Sequence, residues 1–209
     1  MNLGDGKNPD GVFVFENLTS DGYRMGPRNE LDEKHIMLMT ESIAKLHASS
    51  YASKMQGRDT YDEFVKSLMP FLFCFEDKVA PWDVFYNIAL LRLQKHVTTA
   101  DGIPADFRNA FTTVYDKYIS KPSRLLQEFV DEDHDFNLII HGDYNRNNVM
   151  FKYKSEEGFD DPISVKMFDF QWTKYASPAL DLSFFMYMNI APDILAGIWD
   201  KSGDGSSTI

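Results

Sequence analysis

The chain has 209 residues, 44% of them hydrophobic and 14% aromatic, which is enough to bury one sizeable core and excludes a disordered tail. Thirty-two acidic residues against 21 basic ones give a formal charge of -11, so the chain offers no basic stripe to a nucleic-acid backbone and repels anionic lipid. A neutral or cationic small molecule is the compatible partner; oligomeric state is not legible in these numbers.

Taken in chain order, Val12-Phe13-Val14-Phe15 is a β-branched and aromatic run that predicts a strand, introduced by the turn-rich segment Gly4 to Gly11. From Asn29 or Asp32, either a good N-cap, the spacing of Ile36, Met39, Ile43, Leu46 and Ser50/Tyr51 predicts a helix with one buried face, running to about Lys54. Further helices are expected around Tyr61 to Leu68, Trp82 to His96 (with Phe85, Ile88, Leu91 and Lys95 on one stripe), Ala105 to Tyr118 and Pro122 to Val130. The pattern then changes. Leu138-Ile139-Ile140 is a short apolar run, Val149 to Tyr153 and Ile163 to Phe168 are strand-like with a Gly/Asp-rich turn between them, and a helix resumes at Pro178. Beyond Ala191 the pattern fades into a Gly/Ser-rich tail.

Cys74 is the only cysteine, so no internal disulfide is possible, and its apolar setting, Phe71-Leu72-Phe73-Cys74-Phe75, is that of a buried thiol in a reducing compartment. No apolar signal region opens the chain, and no run reaches the roughly 18 apolar residues that a membrane span needs, so the expectation is a cytoplasmic protein. The sequon Asn17-Leu18-Thr19 is then accidental. The acidic run Asp131-Glu132-Asp133-His134-Asp135 reads as a solvated turn before a strand, and His47, beside Leu46, as a satisfied core histidine.

The chemistry-bearing residues lie around the hairpin. His141-Gly142-Asp143 follows an apolar strand, Asn148 comes five residues after Asp143, and Asp169 follows the hairpin. This is the order of a kinase catalytic loop, H-x-D-x-x-x-x-N, followed by a metal-holding aspartate. A five-residue loop can turn back so that Asp143 faces an incoming hydroxyl while Asn148 reaches metal-bound phosphates, and the hairpin returns Asp169 to the same place. Side-chain oxygens of this kind suit Mg²⁺, a hard cation.

Four motifs in order carry a resemblance: Phe15-Glu16-Asn17-Leu18; Leu46-His47-Ala48-Ser49-Ser50-Tyr51-Ala52; His141-Gly142-Asp143 through Asn147-Asn148-Val149-Met150-Phe151-Lys152-Tyr153; and Phe168-Asp169-Phe170-Gln171. Together they resemble the ecdysteroid-kinase-like, or CHK-kinase-like, family, itself similar to choline kinases and aminoglycoside phosphotransferases. The resemblance spans roughly Val12 to Asn189. It implies an ATP- and Mg²⁺-dependent phosphotransferase acting on a hydroxyl of an ecdysteroid-like or other lipophilic alcohol. Asp143 would be the catalytic base, and Asn148 and Asp169 would hold Mg²⁺. Phe15, Glu16 and Leu18 would form the hinge that meets adenine, with Met150 and Phe168 as its apolar floor. Asp181 would brace the catalytic loop through backbone hydrogen bonds, and His141 would orient it.

The fold implied is α+β and protein-kinase-like. No Gly-rich phosphate loop, strand lysine or partner helix glutamate can be located, so the expectation is a chain that is mainly the helical C-lobe with its catalytic hairpin, most of the N-lobe being absent. Residues 1–18 would be a remnant of that lobe, 19–190 the C-lobe and 191–209 an irregular tail. Two alternatives stay open from sequence: a truncated fragment without catalysis, and a choline- or aminoglycoside-type kinase.

Overall fold

A computed structural model describes residues 14–28, 30–68, 81–132 and 134–195, with backbone alone at 81–83 and 85. The elements in order are β1 (Tyr23–Arg24), α1 (Glu33–Gln56), α2 (Arg58–Ser67), α3 (Pro81–Thr99), α4 (Ala105–Val114), α5 (Pro122–Asp131), β2 (Leu138–Ile140), β3 (Val149–Tyr153), β4 (Pro162–Met167), β5 (Lys174–Ala176) and α6 (Ala179–Asn189). Short 3₁₀ turns lie at Arg146–Asn148 and Phe170–Trp172, and a π-helical turn at Tyr115–Ile119 extends α4. The mixture of helices and small sheets agrees with an α+β class. Among the described residues no helix is long and apolar enough to cross a membrane.

The chain divides into two compact units. The first takes residues up to Ala48, Asp143–Gln171 and the chain from Asp181 onward. Its sheet has the order β1-β3-β4, all antiparallel, with Val149 opposite Met167, Met150 opposite Lys166 and Phe151 opposite Val165. Against this sheet lies the stripe of α1 that the periodicity predicts. Met39 and Ile43 are fully buried, as are Tyr144, Val149 and Phe151, with Leu31, Tyr153 and Phe185 buried in the same cluster and Ile36 and Leu46 packing at the margin. Each such side chain contributes on the order of 1.5–3 kcal/mol by leaving water, so this cluster fixes the hairpin on α1.

Asp32 starts α1, its Oδ1 accepting the His35 N–H at 3.0 Å, which satisfies one of the helix's orphan donors. The other N-cap candidate, Asn29, lies outside the described residues. The same Asp32 oxygen meets His35 Nδ1 at 2.7 Å, and His35 Nε2 meets the Tyr153 hydroxyl at 2.9 Å, tying the first turn of α1 to β3. Partial burial would raise the Asp32 pKa, but the hydrogen bonds and charge of His35 outweigh it and hold the carboxyl below its ordinary value of 3.8. Burial pushes the Tyr153 hydroxyl up to about 12. A depressed carboxyl contributes stability that is complete above its unfolded-state pKa and disappears as the pH falls through its folded-state value. Asp32→Asn keeps the cap and removes the charge. The wild type should therefore exceed this variant in urea midpoint at pH 6, with the gap closing at pH 3; an equal gap at both pH values would contradict it.

The second unit comprises Ser49–Gly142 and Trp172–Leu180. Here β2 pairs antiparallel with β5, Ile140 opposite Lys174 and Leu138 opposite Ala176. Helix α3 packs on α4 and α5, and α5 packs also on the π-helical turn and on β5. The Lys54 ammonium donates to the carbonyls of Asp135 (2.9 Å) and Asn137 (3.0 Å) and to the Tyr175 hydroxyl (3.0 Å), fixing the turn before β2. Ser50 and Tyr61 both approach the Ile139 N–H, at 2.8 and 3.0 Å.

Two expectations are corrected. Val14 and Phe15 lie outside any strand and are exposed, whereas the strand that joins the hairpin is Tyr23–Arg24; a strand exists where a partner ladder accepts it, and β3 accepts Tyr23 and Arg24. Val12 and Phe13 lie outside the described residues. On α3 the stripe through Ile88, Leu91 and Lys95 is an exposed face. Finally, 192–195 form a helical turn with Leu195 buried, where an irregular tail was expected. Cys74 and the segment from Lys201 lie outside the described residues.

Candidate active site

The centre of the first unit's chemistry is the loop 143–148. Tyr144, fully buried, donates its hydroxyl to the Met39 carbonyl at 2.8 Å and so anchors the residue beside Asp143 to α1. Burial raises the Tyr144 pKa far enough to keep that hydroxyl a donor. Two residues later the Arg146 N–H donates to Asn189 Oδ1 (2.8 Å), whose own amide donates to the Phe185 carbonyl (2.7 Å), so α6 holds the loop as well. The loop is thus pinned by two helices, at Tyr144 and at Arg146.

Asp143 itself is half-buried. Asn148 Nδ2 donates to its Oδ2 and to its carbonyl, both at 2.8 Å, while Asn145 Nδ2 donates to its Oδ1 and again to its carbonyl, both at 3.0 Å. Each carboxylate oxygen therefore has an amide donor. The hairpin then brings in Asp169: the Phe168 N–H donates to the Asn148 carbonyl at 3.0 Å, continuing the Val149–Met167 register by one step, and Asp169 is the next residue. Asp169 is exposed and adopts φ 64°, the left-handed region, where Asp and Asn are enriched several-fold over other non-glycine residues. Its side chain has a long contact of 3.4 Å from Gln171 Nε2.

The donor chemistry fits Mg²⁺. Since Asn148 commits its amide nitrogen to Asp143, the atom it can offer a cation is Oδ1, and Asp169 offers an exposed carboxylate. Among the described residues no three His, Cys, Asp or Glu side chains group into a metal site of their own. A cation held by Asn148 and Asp169 would complete its shell with phosphate oxygens and water, as Mg²⁺ does.

Of the residues assigned to adenine, Met150 is half-buried on β3 opposite Lys166, and Lys166 Nζ pairs with Glu16 Oε1 at 2.9 Å, so Glu16 and Met150 come to the same side of the hairpin. The Lys166 ammonium holds the Glu16 carboxyl below its ordinary value. Phe168 is half-buried beside Asn148. Phe15 is 82% exposed, and the Leu18 carbonyl is taken up by the N–H groups of Asp21 and Tyr23 in a turn. Asp181 is fully buried and meets His47 Nε2 at 3.0 Å, which makes His47 the satisfied core histidine expected. In the second unit His141 is fully buried where β2 ends.

Two residues of the loop's support escaped the sequence reading. Asn145 looks like any turn residue, and Asn189 like the polar end of an apolar helix. The signal available was that Asn189 stands eight residues after Asp181, about two helical turns along the same face.

A loop aspartate gripped by the motif asparagine, with a second aspartate returned by the hairpin, is the order of side chains that a kinase-type site uses. The family model described as the Ecdysteroid kinase-like family matches residues 3–201. The chain belongs to the ecdysteroid kinase-like family. Its members are kinase-like phosphotransferases, and the α+β architecture is in keeping with such a fold. Comparison with curated proteins and with solved structures returned no match.

Proposed function

We propose that this ecdysteroid kinase-like chain transfers the γ-phosphate of ATP to a hydroxyl of a small lipophilic alcohol, an ecdysteroid or a molecule of that kind, with Asp143 as the base. The observation that carries this reading is the joint geometry of Asp143, Asn148 and Asp169: an amide bond at 2.8 Å couples the first two, and the backbone bond from Phe168 sets the third beside them. Asp143 accepts the proton of the acceptor hydroxyl as that oxygen bonds to the γ-phosphorus and ADP departs. Asn148 and Asp169 would hold Mg²⁺, which when bound would neutralise charge on the phosphates. Tyr144 and Asn189 keep the loop from yielding during the transfer, so its geometry is set before substrate arrives.

Calorimetry of Mg-ATP with the 209-residue chain tests the nucleotide half of this reading, with micromolar affinity expected. A panel of sterols against amino alcohols, scored by label transferred from γ-labelled ATP, tests the acceptor. Phosphorylated sterol supports the proposal, phosphorylated amine supports a choline- or aminoglycoside-type acceptor instead, and absence of nucleotide binding identifies a chain without catalysis.

A further inference from the structure

The motif spacing assigns Asp143 and Asn148 and leaves the four positions between them blank. One of these, Asn145, is 7% exposed and uses both ends of its amide. Its Oδ1 accepts the Asn147 N–H at 2.9 Å, capping the 3₁₀ turn that carries Asn148. Its Nδ2 donates to Asp143 Oδ1 and to the Asp143 carbonyl, both at 3.0 Å. Asn148 takes the other carboxylate oxygen and the same carbonyl at 2.8 Å.

A carboxylate turns easily about its last side-chain torsion, a broad, roughly two-fold rotor. One amide donor on one oxygen still allows that plane to swing. Donors on both oxygens, each also bonded to the backbone carbonyl of the same residue, fix the plane. They leave the remaining lone pairs of the carboxylate pointing in set directions. Because Asn145 also caps the turn bearing Asn148, a single side chain sets both the orientation of the base and the start of the segment that presents the metal-holding amide.

We propose that Asn145 is a positioning residue for phosphoryl transfer, acting through Asp143. This rests on the reading of Asp143 as the base. Its chemistry is neutral: it exchanges no proton with substrate, and its contribution is to hold the carboxylate in the plane from which a hydroxyl proton is accepted.

Asn145→Ser separates the two uses of the side chain. A serine hydroxyl still caps the turn at Asn147, but it is too short and too poor in donors to hold Asp143 as the amide does. The expected result is a melting temperature within about 2 °C of wild type and a Mg-ATP Kd within about twofold by calorimetry. The kcat for the sterol acceptor should fall roughly tenfold to a hundredfold, with its KM unchanged. Asn145→Ala should lower kcat similarly and lower the melting temperature as well. A readout independent of turnover is the Asn145 side-chain amide in ¹H–¹⁵N spectra, which should shift when Asp143 is replaced by Ala.

Wild-type kcat in Asn145→Ser overturns the role of Asn145 while leaving the function standing. So does a fall in kcat matched by a collapse of melting temperature and nucleotide binding, since that is a structural role. An amide resonance indifferent to Asp143→Ala overturns the contact itself. A wild-type chain that transfers no phosphate to any acceptor overturns the functional reading and this role together, and the amide resonance then still reports on the contact alone.

Discussion

Asp143→Asn is expected to lower phosphate transfer to a hydroxyl acceptor by about 10²–10⁴-fold, the range a positioned general base supplies. Asparagine keeps the shape and one acceptor oxygen, so Asn145 or Asn148 retains a partner and the loop retains its anchors at Met39 and Asn189. What disappears is the carboxylate proposed to take the proton. The melting temperature and Mg-ATP affinity should therefore stay near wild type while label transfer collapses. Transfer at the wild-type rate would remove Asp143 from the chemistry and direct attention to Asp169.

The largest effect on stability is expected at Gly142. Its φ is 83°, and a Cβ built there lies 2.1 Å from the Trp172 carbonyl oxygen, 2.8 Å from the Trp172 carbonyl carbon and 2.9 Å from Lys174 Cε. Gly142→Ala therefore combines the left-handed penalty with a clash against backbone, which has no rotamer to escape into. Adding about 1–2 kcal/mol for the backbone conformation to about 1–3 kcal/mol for overpacking predicts a loss of about 2–5 kcal/mol. Gly102 is the internal control: its φ is 81°, but nothing stands within 4 Å of an added Cβ, so Gly102→Ala should cost only the backbone part. Urea unfolding of the two variants separates the terms, and equal midpoints would show that the second unit yields at Trp172.

What could be read from the sequence was what local chemistry determines. The stripe of α1 was legible because Met39 and Ile43 repeat at helical spacing, and the hairpin because Val149 to Tyr153 and Ile163 to Phe168 are strand-like runs on either side of a turn. The order of Asp143, Asn148 and Asp169 was legible because the loop and hairpin between them are short. The strand Tyr23–Arg24 was not, since two residues inside Gly22-Tyr23-Arg24-Met25-Gly26 become a strand only through a partner some 130 positions away. β5 was hidden for the same reason, its central residue facing Ile139 and its buried Lys174 contradicting any apolar pattern. The grip of Asn145 on Asp143 was invisible because asparagine is the commonplace choice in turns, and composition cannot tell a capping amide from one that also holds a carboxylate.

The left-handed backbone at Asp169 restricts what mutation can do there. Glycine enters that region freely, and asparagine and aspartate do so more readily than other side chains. Of these three, glycine brings no oxygen for a cation and asparagine brings no charge. Single-nucleotide changes of an aspartate codon to Ala, Val or Tyr therefore fail twice, once in the backbone and once in the proposed metal chemistry, whereas Glu fails in the backbone alone and Gly or Asn in the chemistry alone. The position should drift more slowly than the exposed Phe170 and Gln171 beside it.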